Sequence, residues 1–298
     1  MRLDLAVSRL FGFSRRAARE AVRAGRVDVD GRVADEPGSD VAEGARITLA
    51  ASRPARYRVR TRLSALVEDP DFVIVDKPAG LLTVPTALQE KDTLLARVLD
   101  YLQHRFGRRP RAYVLHRLDR DTSGAVVFAR TRPALHFLQQ LFRRHAIERE
   151  YVAIVEGDLS DSGRFSADLV ADRGDSRRGV ARGGEAGKRA VTRYRVVERL
   201  QGACLVSIEL ETGRTHQIRI HFAAAGHPVL GDRVYRSRSA PPPPVLAPRQ
   251  MLHARRLGFP HPATGAPVRA ESPIPADLLD VLARLRAKRK APRKRPGR

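Results

Sequence analysis

Apolar and polar positions change period several times along the chain, and each change marks an element. Leu3 to Leu10 has apolar residues at helical spacing. Ser14 then opens a second helix as its N-cap, with Ala17, Ala18, Ala21 and Val22 on one face until Gly25 ends it. Arg26-Val27-Asp28-Val29 alternates as a strand, Asp30-Gly31 is a hairpin turn, and Gly44 to Leu49 reads as a closing strand. Residues 51–58 are polar with a proline and read as a linker.

Beyond the linker the pattern is that of a larger domain, residues 59–286. Ala65 to Glu68 and Phe72 to Asp76 read as strands joined across Asp69-Pro70-Asp71, and Lys77-Pro78-Ala79-Gly80 breaks the pattern. Leu94, Leu95, Val98, Leu99 and Leu102 mark one helix; Ala134, Leu135, Leu138, Leu141 and Phe142 mark another. Alternating runs at Ala125–Ala129, Tyr151–Val155, Lys188–Val197 and Ala203–Leu210 predict strands. Strands outnumber helices and the order is irregular, which predicts an α+β domain with a mixed, largely antiparallel sheet. Asp172–Gly187 and Ser237–Pro248 read as exposed loops, and residues 287–298, nearly all Lys, Arg and Pro, as a disordered basic tail.

Composition narrows the class. The 298 residues leave room for one catalytic domain and a small accessory one, and 42% hydrophobic residues suffice for a core. The formal charge of +23 makes a polyanion the expected partner, and nucleic acid the leading one. Only six of the 56 basic residues are lysines, which suits bidentate guanidinium contacts to phosphate. Arg15, Arg19 and Arg23 recur at helical spacing and form a cationic ridge expected to face outward, though a solvated helix face has the same pattern. One cysteine, Cys204, allows neither an internal disulfide nor a Cys-rich zinc site. No window approaches a membrane span and the first residues lack a signal peptide's apolar core, so a cytoplasmic protein is expected.

Three stretches could carry chemistry. His116-Arg117-Leu118-Asp119-Arg120-Asp121-Thr122-Ser123-Gly124 crowds acids, cations and hydroxyls into a loop ahead of a strand. A carboxylate flanked by Arg117 and Arg120 stays ionised when partly desolvated, which describes a usable nucleophile. Glu148 to Gly157 alternates so that Tyr151 shares a face with Ala153 and Val155, either as a core tyrosine or as a ring beneath an everted base. In Glu211 to His221, Thr215 is placed to cap a helix running to Ala225 and stopped by Gly226, with Ile218, Phe222 and Ala225 packing it on the sheet. Arg219 then lies one turn inside that helix, free to pair with a carboxylate across a site or in a surface ion pair.

These stretches together resemble the RluA-type family of pseudouridine synthases. The segments that carry the likeness are HRLDRDTSG, with VEDPDFVIVDKPAGLLTVP before it, EREYVAIVEG and GKRAVTRYRV after it, then TGRTHQIRIHFAAAGHPVLGD and MLHARRLGFPHPATG. Arg149 stands where that family usually has Lys. Residues 1–50 resemble the RNA-binding domain named after small-subunit ribosomal protein S-four, a small α/β domain of two helices, a GxVxVxG turn and a closing strand. The resemblance implies the pseudouridine synthase fold and a cofactor-free reaction in which a uridine is detached from its sugar, rotated and rejoined through carbon five. By that likeness Asp119 is the nucleophile, at the anomeric carbon or at the base. Tyr151 stacks on the base and Arg219 holds Asp119 in an ion pair, with Arg214 as the fallback. Arg117 fills the space left by the everted base, and Arg15, Arg19, Arg23, Arg120 and Arg214 contact RNA. Ribosomal RNA is the expected substrate, transfer RNA the second, and the protein is expected to be a monomer.

Other readings of the same residues are weaker. His216 and His221 lie five apart on the third stretch and point to different faces, and no HExxH or CxxC occurs, so no metal site is expected. Gly183 to Lys188 is one residue short of a phosphate-binding loop. Asp119 and Asp121 have no assured separation across a sugar, which disfavours a glycosidase pair. The rival from another class is a non-catalytic RNA-binding or ribosome-assembly factor that keeps the fold; binding alone would not require Asp119, Tyr151 and Arg219 together.

Overall fold

The computed structural model describes residues 1–34, 37–51, 63–86, 89–107, 110–172, 178–183, 185–237 and 239–290. The expected linker falls almost wholly outside them, as do the last eight residues of the expected tail. The chain divides into two compact units, Met1–Thr61 with Gly80–Arg97, and Arg62–Ala79 with Val98–Arg298.

In the first unit, helices α1 (Leu3–Phe11) and α2 (Arg15–Arg23) precede three short strands, β1 (Val27–Val29), β2 (Arg32–Ala34) and β3 (Ile47–Leu49). These pair antiparallel in the order β2-β1-β3. Ser14 caps α2 by accepting from the Ala17 amide at 3.2 Å. Asp30 and Gly31 both take positive φ, 51° and 76°, the geometry of a two-residue hairpin turn whose twist matches the strands. Leu3, Val7, Ala18, Ala21, Val22 and Val27 close a small core. One expectation needs correcting: the arginine ridge does not face outward as a unit. Arg19 turns back to the fully buried Asp4 at 2.7 Å, because an acid inside this core needs a cation. Arg15 is exposed, and the Arg23 side chain lies outside those described.

The second unit holds an eleven-stranded sheet. From residue 64 onward the elements are β4 (Ser64–Glu68), β5 (Phe72–Lys77), α3 (Leu94–Phe106), β6 (Tyr113–Val114), β7 (Ser123–Ala129), α4 (Arg132–Arg143), β8 (Glu148–Glu156) and β9 (Ser162–Val170). After them come β10 (Gly179–Val180), β11 (Lys188–Leu200), β12 (Ala203–Leu210), α5 (Gln217–Ala224), β13 (Leu252–Pro260), β14 (Pro267–Glu271) and α6 (Ala276–Lys290). The order is β10-β9-β11-β12-β8-β13-β7-β5-β4, with β14 beside β13 and β6 beside β7. The fold is therefore α+β with a mixed sheet. β13 runs parallel to β7 and the other described pairs are antiparallel.

Two apolar clusters support the sheet. Phe72, Ile74, Val127, Leu138 and Phe259 pack beneath α4, and Ile154, Leu230, Met251, Leu278, Val281 and Leu285 pack beneath α6. Helix α6 was not expected from the pattern, and it takes in residues 287–290, the first four of the expected tail. The two-residue strand β10 interrupts the first expected loop.

Register is what places the site. Gly124 on β7 lies opposite Ala254 on β13, Ala254 opposite Tyr151 on β8, and Tyr151 opposite Ile208 on β12. The loop that feeds β7 therefore ends two strands, roughly 10 Å, from Tyr151.

Candidate active site

The loop ahead of β7 is pinned by buried cations. Lys77, fully buried at the end of β5, donates from Nζ to the carbonyls of Pro78 at 3.0 Å, Arg120 at 2.8 Å and Thr122 at 2.7 Å. Arg249 donates from Nη1 to the Asp121 carbonyl at 2.8 Å and is itself gripped by Asp277 at 2.6 and 2.9 Å. Three consecutive loop carbonyls thus each accept from a cation, which satisfies their polar groups and fixes the loop. Burial pushes the Lys77 ammonium down to about 7, against the opposing charges of Asp121 and Asp119. Gln250 donates to Thr122 Oγ1 at 2.9 Å, and His253 Nδ1 lies 3.0 Å from Ser123 Oγ. Gly124 adopts φ 120°, and a Cβ there would meet the Ala254 carbonyl oxygen at 2.2 Å, so the parallel crossing of β7 and β13 excludes any side chain.

Asp119 projects from this loop with 19% of its side chain exposed. Arg219 Nη1 donates to its Oδ2 at 2.8 Å, and His216 Nε2 lies 3.6 Å from its Oδ1. Burial raises the carboxyl, but the charges of His216, Arg219 and Lys77 and the Arg219 hydrogen bond outweigh it and hold Asp119 below the usual carboxylate range. The expected ionised state is present, held by cations that lie far from Asp119 in the sequence.

Helix α5 aims Arg219. It begins at Gln217 rather than at a Thr215 cap: His216 occupies the N-cap in the left-handed region at φ 59°, with no side-chain cap. The turn is held instead by the buried Gln217, whose Oε1 accepts from Thr212 Oγ1 at 2.8 Å and the Arg214 amide at 2.9 Å. Gln217 Nε2 donates to the Val191 carbonyl at 2.9 Å, tying the turn to β11. Arg219 is therefore in the first turn, not one turn inside. Phe222 and Ile218 pack inward as expected, whereas Ala225 follows the helix and is exposed. His221 points away from His216, to Thr192 Oγ1 at 2.9 Å.

Arg219, 5% exposed, uses its whole fork. Nε and Nη2 donate to the fully buried Asp232 at 2.6 and 3.0 Å while Nη1 serves Asp119, and these carboxylates keep the guanidinium charged against burial. Its Cζ lies over the Tyr235 ring, 5.0 Å from the ring centroid.

Asp119, Tyr151, Arg219, Arg117, Arg214, His216 and Leu252 line one small cleft that opens to solvent. Burial, reinforced by the Asp119 charge, raises the Tyr151 hydroxyl, so it stays a neutral phenol. Arg117 is exposed at the cleft. Arg214 also lines it, but its Nε donates to the Arg189 carbonyl at 3.1 Å, so the pair with Asp119 belongs to Arg219. Arg120 contributes its carbonyl to Lys77. Lys77, His216, Asp232, Tyr235 and Arg249 build the site without having been expected to; the segments DKPAG, GRTHQ, GHPVLGD and the run around Met251 were the signals available.

Comparison with known proteins agrees with this arrangement. The family described as RNA pseudouridylate synthase matches residues 71–224, and the S4 domain matches residues 1–47. Ribosomal large subunit pseudouridine synthase D of Pseudomonas aeruginosa is 38% identical over 307 residues, covering 97% of this chain and 93% of that protein. The protein of the same name from Escherichia coli K12 is 35% identical over 299 residues, covering 96% and 91%. Among solved structures, human RNA Pseudouridylate Synthase Domain Containing 4 superposes with a TM-score of 0.63 at 25% identity, over 75% of this chain and 93% of that one. An ionised aspartate clamped by arginine beside a buried tyrosine, on this fold and with these relatives, places the chain in the RNA pseudouridylate synthase family, with an S4 domain ahead of the catalytic domain.

Proposed function

We propose that the protein converts uridine to pseudouridine in large-subunit ribosomal RNA, with Asp119 as nucleophile. The N1–C1′ bond breaks, a C5–C1′ bond forms, and the proton lost from C5 is balanced by one gained at N1. Substrate and product are isomers, so no oxidant or reductant enters. The observation that carries this reading is the Asp119 carboxylate, kept ionised in a half-enclosed cleft by Arg219 at 2.8 Å.

Tyr151, on the same cleft, offers a flat neutral ring for the everted base to stack on. Arg117 at the cleft takes the place of that base in the RNA stack, and Arg214 and Arg120 meet phosphates. The first domain adds a second foothold through Arg15, which raises the effective concentration of RNA at the cleft. The choice of large-subunit RNA rests on the names of the relatives and on the S4 match. The protein acts as a monomer in the cytoplasm; among the described residues no helix is long and apolar enough to cross a membrane.

The test is incubation with uridine-containing ribosomal RNA followed by chemical adduct formation and primer-stop mapping. A stop present with wild-type protein and absent with Asp119→Asn is expected. Wild-type protein that binds RNA but leaves every uridine unchanged would make it a binding factor.

A further inference from the structure

His216 is the second group facing the Asp119 carboxylate, and its placement is built rather than incidental. Its backbone sits at φ 59°, a conformation that costs a non-glycine residue on the order of 1 kcal/mol and persists where the surroundings enforce it. The ring lines the cleft with 18% of the side chain exposed. Nδ1 lies 2.7 Å from Tyr235 Oη, and the two rings meet edge-on at 79°. Nε2 points at Asp119 Oδ1 across 3.6 Å, while Arg219 occupies Oδ2. Tyr235 braces both partners, since the Arg219 guanidinium lies over its ring at 5.0 Å.

The tautomer follows from the two neighbours. The ionised Asp119 can only accept, so in a neutral imidazole the hydrogen sits on Nε2 and Nδ1 accepts from the Tyr235 phenol, whose hydroxyl burial pushes up to about 12. In a protonated imidazole both nitrogens carry hydrogen. Either way an N–H, not a lone pair, faces the carboxylate.

We propose that His216 is a positioning residue for Asp119, holding Oδ1 as Arg219 holds Oδ2, with Tyr235 fixing its tautomer. This rests on Asp119 being the nucleophile. At rest the 3.6 Å separation exceeds a hydrogen bond and the attraction is electrostatic. When the bond between Asp119 and its target carbon breaks, that electron pair returns to the carboxylate. Arg219 then meets the charge on Oδ2, and His216 closes on Oδ1. No proton changes hands in this step.

The experiment compares His216→Ala, His216→Gln and Tyr235→Phe with wild type and Asp119→Asn in steady-state conversion of ribosomal RNA. Ala and Gln carry the same left-handed backbone burden, but the Gln amide restores a donor near the Nε2 position. Removing a donor from developing charge costs roughly 10²-fold, so His216→Ala should lower kcat by about that factor with KM little changed. His216→Gln should recover about 10-fold of the loss, and Tyr235→Phe should lose a smaller factor, on the order of 5-fold. A His216→Ala enzyme at the wild-type rate, or Ala and Gln variants equally slow, overturns the proposal. Should both His216 variants fail to fold, an unchanged kcat in Tyr235→Phe overturns it and a reduced kcat at unchanged KM supports it. Full conversion by Asp119→Asn sinks the nucleophile reading and this proposal together, whereas a dead Asp119→Asn beside an unaffected His216→Ala sinks this proposal alone.

Discussion

Arg219 and Asp232 form a bidentate pair at 2.6 and 3.0 Å in which both side chains are buried, and that pair leaves one guanidinium nitrogen aimed at Asp119. Asp232 does not line the cleft. It acts by deciding where Arg219 points, and its Oδ1 is further fixed by the amides of Val234 and Tyr235 at 2.8 and 3.1 Å. A planar fork can serve two carboxylates at once; an ammonium cannot reproduce that geometry.

Asp232→Ala should therefore lose activity without touching substrate. Truncating one partner of a buried pair costs about 3–5 kcal/mol, because the remaining charge stays buried and uncompensated. A misaimed clamp should lower kcat by roughly 10²-fold. Arg219→Lys should show a similar kcat loss with less destabilisation, since a cation remains beside both acids. Denaturant unfolding and single-turnover conversion measure the two effects separately; wild-type kcat in Asp232→Ala would show that Arg219 needs no aiming.

Gly124 offers a test of the register that builds the site. A Cβ there would lie 2.2 Å from the Ala254 carbonyl oxygen and 2.6 Å from its amide nitrogen, both backbone atoms with nowhere to move. Gly12 also has positive φ, 65°, but open space around it. Gly124→Ala should cost on the order of 3 kcal/mol or more, from strain and overpacking together. Gly12→Ala should cost about 1–2 kcal/mol, from the backbone alone. Thermal unfolding of the two variants side by side gives the comparison, and equal costs would mean that β7 and β13 do not cross as closely as described.

Local rules made the ends of the hairpin, the Ser14 cap and most strands legible, because turn chemistry and period-two alternation are written in adjacent residues. The loop carrying Asp119 was legible for the same reason: its polar groups are packed into nine positions. What holds that loop was not. Lys77, Arg249 and Asp277 are distant in sequence and meet through β5, β13 and α6, so no window contains two of them. Helix α6 is not legible in the pattern because its apolar stripe of Leu278, Val281, Leu282 and Leu285 runs into a Lys- and Arg-rich end. The Thr215 cap failed because the buried amide of Gln217 satisfies that turn in place of a hydroxyl.

The arginines of α2 should separate by role. Arg19 neutralises the buried Asp4 at 2.7 Å, so Arg19→Ala should destabilise the first domain and weaken RNA binding only as a consequence. Arg15 is exposed, so Arg15→Ala should leave folding unchanged and lower RNA affinity. Each lost phosphate contact should reduce the slope of log K against log salt by about 0.7–0.9. RNA binding titrated at several salt concentrations, beside unfolding curves, tests both; an unchanged slope in Arg15→Ala would remove that residue from the RNA interface.

His116 should make the fold acid-sensitive. Its imidazole packs on Phe142 at 5.0 Å and its Nε2 accepts from the Val127 amide at 3.2 Å, which requires the neutral ring. Burial, with help from the Arg149 charge, pushes it down from 6.5 to about 3. Between those values the unfolded chain binds a proton that the native state refuses, so the stabilisation is complete above pH 6.5 and is lost as the pH falls toward 3. One such group contributes a slope of up to about 1.4 kcal/mol per pH unit. His221, pushed down to about 4 by burial, adds to the slope with the same sign. His116→Gln keeps an acceptor for Val127 and removes the titration, so its unfolding free energy should fall less steeply than wild type between pH 6.5 and 5, above the range where the carboxylates protonate. Denaturant midpoints at four or five pH values across that interval give the slope directly, and parallel curves for the two proteins would mean that His116 takes up its proton alike in the folded and unfolded chains.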